Sequence, residues 1–97
     1  MKYNYDGAVR AIEKEDLVVG NVVRMVHENG LFSAPFSDCI ISKIEDDEVY
    51  LNRPGFSNKL YMEQFSALIS NLVLSDKWML VLEASGKPYN CKNLQKY

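Results

Sequence analysis

Few residues of this 97-residue chain could do chemistry, and their spacing limits what chemistry that is. A nucleophilic mechanism needs a serine or cysteine activated by a histidine base, and the single histidine is His27. A site could be assembled from His27, Ser33 and Asp38. Nothing in the sequence brings the three together, and a histidine beside Asn29-Gly30 reads as a solvated loop residue. A structural zinc site wants four cysteine or histidine ligands, and the chain has three such residues, His27, Cys39 and Cys91. The acidic run Glu45, Asp46, Asp47, Glu48 could attract a divalent cation, but adjacent residues of a tight turn diverge and their oxygens do not converge on one point. The same objection meets paired-carboxylate glycoside chemistry. Ser85-Gly86-Lys87 lacks the glycine-rich lead-in and following helix of a phosphate cradle. Neither a metal nor a cofactor is expected.

Aromatic residues carry the strongest functional signal. Six tyrosines are more than a small core needs, and tyrosine joins an apolar ring to a polar tip that suits interfaces. Tyr50, Arg53, Phe56 and Tyr61 follow closely on one another, and Phe32 and Phe36 of the preceding loop could join them in one patch. Tyrosine, phenylalanine and arginine at such a patch point to protein binding. A different set, Arg24, Arg53 and Lys59, could neutralise an anionic, nucleotide-like ligand while tyrosines stack on its base.

The elements that must position these residues follow from pattern. Residues 37–56 read as a β-hairpin turning at Asp46-Asp47, with Val49 and Leu51 on the core face and Glu48, Tyr50 and Asn52 on the other. The alternation over residues 39–44 is mixed. Residues 7–14, behind Asp6, read as a short helix. Residues 17–26 read as one bent strand or two short ones, broken at Gly20-Asn21, and residues 27–37 as a long loop. Arg53-Pro54-Gly55-Phe56 ends the second hairpin strand. Tyr61, Phe65, Leu68, Ile69 and Leu72 recur with helical spacing, which predicts a helix over residues 61–70. Residues 72–74 and 77–84 read as a second hairpin with Trp78, Leu80 and Leu82 on one face. The strand 77–84 is expected at a sheet edge, where a second copy could pair to form an oligomer.

Composition bounds the class. With 47% hydrophobic and 25% charged residues the chain reads as one folded domain over 1–97, its core at about 16–84 and a polar surface tail at 87–97. The formal net charge of −2, with basic residues scattered, disfavours nucleic acid; Lys87, Lys92 and Lys96 offer only a weak basic patch. No apolar run is long enough to span a bilayer and the start lacks a signal-peptide pattern, so a cytoplasmic protein is expected, with Cys39 and Cys91 reduced.

The run Asp16-Leu17-Val18-Val19-Gly20-Asn21-Val22-Val23-Arg24 resembles the "leucine, x, valine, glycine, aspartate, x, valine" opening of SH3-like small β-barrels, with Asn21 where aspartate is commoner. The resemblance covers roughly residues 16–84. It implies a long loop after the first strand, then a tight hairpin, a short helical turn and a last strand. Such barrels serve as peptide binders, nucleic-acid binders and enzyme appendages. The chain also resembles short stand-alone accessory proteins of tailed phages, which implies action in a host cytoplasm.

The expected fold is therefore α+β, a small, mostly antiparallel SH3-like β-barrel with one or two short helices. The expected function is that of a non-enzymatic accessory or inhibitor protein whose partner is another protein, such as a host protein or defence system. An oligomeric sequestering protein for a nucleotide-like ligand is the alternative, and a weak nucleic-acid-binding module the second.

Overall fold

A computed structural model of the chain describes residues 8–26, 36–54 and 62–91. Six strands are found there: β1 (Val9–Ala11), β2 (Val22–Val26), β3 (Phe36–Glu45), β4 (Glu48–Pro54), β5 (Met62–Leu68) and β6 (Trp78–Val81). They form one sheet in the order β1-β6-β2-β3-β4-β5, and every pairing is antiparallel. A helix, α1 (Ile69–Leu74), joins β5 to β6, and a 3-10 turn spans Lys14–Asp16. The sheet is not closed: β1 and β5 are its two edges, so a barrel is not established.

The hairpin forms where the pattern places it, with Glu45 opposite Glu48 and a two-residue turn between them. Asp46 takes φ +54°, a left-handed conformation that a short polar side chain tolerates. The mixed alternation before the turn has a structural cause. The register jumps between Ile41 and Lys43, so Ser42 is the extra residue of a β-bulge. One extra residue moves every later side chain to the other face, which lets Cys39 and Ile41, and then Ile44, pack against one core. The Ser42 hydroxyl donates to the Tyr50 carbonyl at 3.1 Å, giving the bulge a side-chain tie to the opposite strand.

The sheet has a main face and a reverse face. On the main face Ile12, Val23, Cys39, Ile41, Val49, Leu51, Leu72 and Leu80 are buried together, with Trp78 and Leu82 packed against them. Val49 and Leu51 occupy the core face and are fully buried, as their alternation requires. On the reverse face Val22, Ile40, Val81, Tyr89 and Cys91 form a second buried cluster. Burying each such aliphatic side chain contributes about 2 kcal/mol.

Five expectations are corrected. The helix expected over residues 7–14 is not found in its described part, because Val9, Arg10 and Ala11 pair with Val81, Leu80 and Met79, and a sheet edge supplies partners that a helix of that length would lack. Residues 62–68 are strand rather than helix. Phe65 and Ala67 alternate toward the main face while α1 begins at Ile69, so the helical spacing of Phe65, Ile69 and Leu72 straddles a strand-to-helix junction. Residues 72–74 belong to α1, not to a hairpin strand, and β6 lies between β1 and β2 rather than at an edge. The segment from Lys87 to Cys91 is not a surface tail, since Tyr89 and Cys91 are buried.

That last segment closes the reverse face through its backbone. Tyr89 N–H donates to the Val81 carbonyl, Val22 N–H to the Tyr89 carbonyl and Cys91 N–H to the Gly20 carbonyl, at 2.8 to 2.9 Å. Gly20 has φ +98°, a backbone conformation that side chains rarely adopt, which is why glycine is needed there; a Cβ would in addition press on the Asn90 side-chain amide, which would have to shift. The strand expected over residues 17–26 is accordingly shortened to β2, with a turn at Val19-Gly20. Phe36, expected in the long loop, opens β3 one residue ahead of the expected hairpin start at Ser37. Asp6, Gly7, the loop over residues 27–35 and the turn at Gly55-Phe56 lie outside the described residues.

Candidate functional site

Strand β4 separates two residues of the expected aromatic patch, Tyr50 and Arg53. Val49, Leu51 and Arg53 point to the main face, and Tyr50 and Asn52 to the reverse face. Tyr50 is half-buried there, with Ser66 as its cross-strand neighbour and Lys43 Nζ 5.3 Å from its ring centroid. Phe36 is on the reverse face too, under the guanidinium of Arg24 at 3.8 Å. Phe32, Phe56, Tyr61 and Lys59 lie outside the described residues.

Arg53 gains different neighbours. Its guanidinium lies 5.7 Å from the Phe65 ring centroid, and Phe65 meets Trp78 at 6.3 Å with the rings tilted by 37°. Trp78 is paired in register with Met25 of β2. Met25, Arg53, Gln64 and Phe65 line a cavity of about 270 Å³. Four strands thus deliver an arginine, two aromatic rings and a methionine to one end of the main face, away from the 46–47 turn. Cation over ring and ring against ring contribute about 1 kcal/mol each where water is excluded. Such a surface suits capture of an apolar or aromatic side chain.

The two described members of the anion-binding set, Arg24 and Arg53, lie on opposite faces of the sheet. Arg24 donates through Nε to Asp38 Oδ1 at 2.8 Å and through Nη2 to Oδ2 at 3.2 Å, on the face opposite Arg53. This largely buried fork, stacked on Phe36, fixes β2 against β3. Asp38, one third of the triad considered above, is engaged in it; His27 and Ser33 lie outside the described residues. Among the described residues, no group of three or more histidine, cysteine or acidic side chains could hold a metal ion.

Two features escaped the sequence reading. Arg10 forks onto Asp16 with hydrogen bonds of 2.8 and 2.9 Å, and Asp16 also accepts the Glu13 N–H at 2.8 Å. The Arg10 hydrogen bond holds the Asp16 carboxyl below its ordinary range, against the opposing effect of burial. Asn21 Nδ2 donates to the Asp16 carbonyl and Asn90 Nδ2 to Asn21 Oδ1, so the network ties edge strand β1 to the closing segment. Cys91 is the second feature. Burial pushes its thiol up to about 11, partly opposed by a hydrogen bond with Tyr89. Cys39 and Cys91 belong to clusters on opposite faces of the sheet, which keeps them from pairing.

The sequence placed Phe65 on a helical face and Trp78 on a strand face, and only strand order shows that Phe65 meets both Arg53 and Trp78. Comparison of the chain with protein-family models, with curated proteins and with solved structures returned no match.

Proposed function

We propose that this chain is a non-enzymatic protein-binding domain, an accessory or inhibitor protein that receives its partner on the surface formed by Met25, Arg53, Phe65 and Trp78. The observation that carries the reading is the Arg53 guanidinium over Phe65, with Trp78 behind it, at the mouth of a small cavity. Arginine and tryptophan are enriched where a few side chains supply most of the binding energy, and a rigid sheet holds these without further ordering cost. The domain follows an SH3-like plan in this proposal. In support, β2 to β5 form a consecutive antiparallel meander, a short helix follows, and β6 returns to pair with β2.

The test is photo-crosslinking from inside the surface. A benzophenone amino acid at Met25, which lines the cavity from the main face and is half-buried, should give one dominant covalent adduct in cells of the source organism. The same group at Glu83, on an exposed turn after β6, should give none. Equal labelling from both positions would reject the surface.

A further inference from the structure

We propose that the chain has a second docking site, a groove between α1 and the hairpin turn that takes a short peptide segment bearing an apolar side chain next to a basic residue. The groove has a volume of about 590 Å³; Leu68, Ile69, Val73 and Leu74 give it an apolar lining, and Asp46 and Asp47 contribute carboxylates. Leu74 is 84% exposed and Leu68 47%, so the apolar lining continues onto open surface. Exposed aliphatic side chains gathered along one concave strip are the usual mark of a peptide groove.

Charge decides the occupant. Among the described residues neither Asp46 nor Asp47 has an ion-pair partner, and Glu45 and Glu48 flank them at the same turn. Of these neighbours only Glu45 is paired, with Lys43 at 3.5 Å. Lys14 is the single cation in the lining, so the groove is net negative. A basic residue on the incoming segment is attracted to this end, and an acidic one is repelled. The walls are held in place before any ligand arrives, because Ile69 N–H at the start of α1 donates to the Asp47 carbonyl at 2.7 Å. The site lies at the end of the sheet opposite Arg53 and does not depend on the function proposed above.

The experiment selects a phage-displayed library of random twelve-residue peptides on the immobilised full chain, then titrates the enriched peptides into ¹⁵N-labelled protein. Enriched peptides should carry Lys or Arg beside Leu, Ile or Met, and should shift the amides of Asp47, Ser70 and Val73. Leu74→Ser should weaken them at least tenfold, and Asp46→Asn with Asp47→Asn about tenfold, with a reduced salt dependence. Because these side chains are exposed, both variants should keep the melting temperature of the parent, which separates lost binding from lost folding. The proposal is overturned if nothing is enriched, if acidic peptides are enriched, or if the shifts lie at Met25, Arg53 and Phe65. It is equally overturned if neither variant changes affinity, or if the groove proves to be covered by a second copy, seen as a dimer that Leu74→Ser converts to monomer.

Discussion

Arg24 and Arg53 belong to one sheet and each stacks on a phenylalanine, yet their surroundings differ in kind. Arg24 lies on the reverse face, bound by a carboxylate at hydrogen-bond distance and set beside the segment that carries Tyr89 and Cys91. Arg53 lies on the main face beyond the aliphatic core, among Phe65, Gln64 and Met25 around a cavity. An arginine locked by a carboxylate in a dry setting fixes strands. One whose guanidinium lies over an aromatic ring at the rim of a cavity is placed where a partner can reach it. Residue type alone does not distinguish the two roles; the face of the strand does.

The comparison is broken most severely on the reverse face. Tyr89→Ala should remove about 3 kcal/mol of stability in urea unfolding, because it opens a cavity over Val22, Ile40 and Val81. That is a large share of the roughly 5 to 15 kcal/mol that holds a domain of this kind together. Asp38→Ala should cost about 2 kcal/mol in the same measurement, since Arg24 is left largely buried without its carboxylate. Arg24→Met combined with Asp38→Leu should recover part of that loss, which marks the pair as architectural.

A pH series sharpens the same contrast. The folded state holds Cys91 as a neutral thiol, its pKa raised by burial from the ordinary 9.0 to about 11. The contribution is therefore fully present below pH 9 and is lost as pH rises toward 11, at roughly 1 kcal/mol per pH unit. Urea midpoints measured at pH 8 and pH 10.5 should fall further for the parent chain than for Cys91→Ala. Parallel falls would show that the thiol is not desolvated.

Local pattern made some elements legible and not others. The hairpin could be read because Val49 and Leu51 alternate cleanly and Asp46-Asp47 supplies turn chemistry. The bulge at Ser42 appeared only as an imperfect alternation, since nothing in a single strand says which residue lacks a partner. Phe65, Ile69 and Leu72 misled because a strand face running into a helix face copies helical spacing. The closing segment was missed because Tyr89 and Cys91 sit among polar neighbours, and their burial depends on reaching β2 and β6, far away in sequence. At the candidate site Arg53 was identified from its type and its place near a strand end. Its pairing with Tyr50 failed on strand parity, while Phe65, Trp78 and Met25 required the strand order to be known.

The most direct test of the account compares Arg53→Ala with Tyr50→Ala in quantitative affinity capture from cells of the source organism, alongside melting curves. Arg53→Ala should keep its stability to within about 0.5 kcal/mol, a shift of no more than about 4 °C, while capture of the parent chain's main partner falls at least tenfold. Tyr50→Ala, on the reverse face, should capture that partner as the parent does. Undiminished capture by Arg53→Ala, or an equal loss in both variants, would contradict the main-face surface as the place where this protein works.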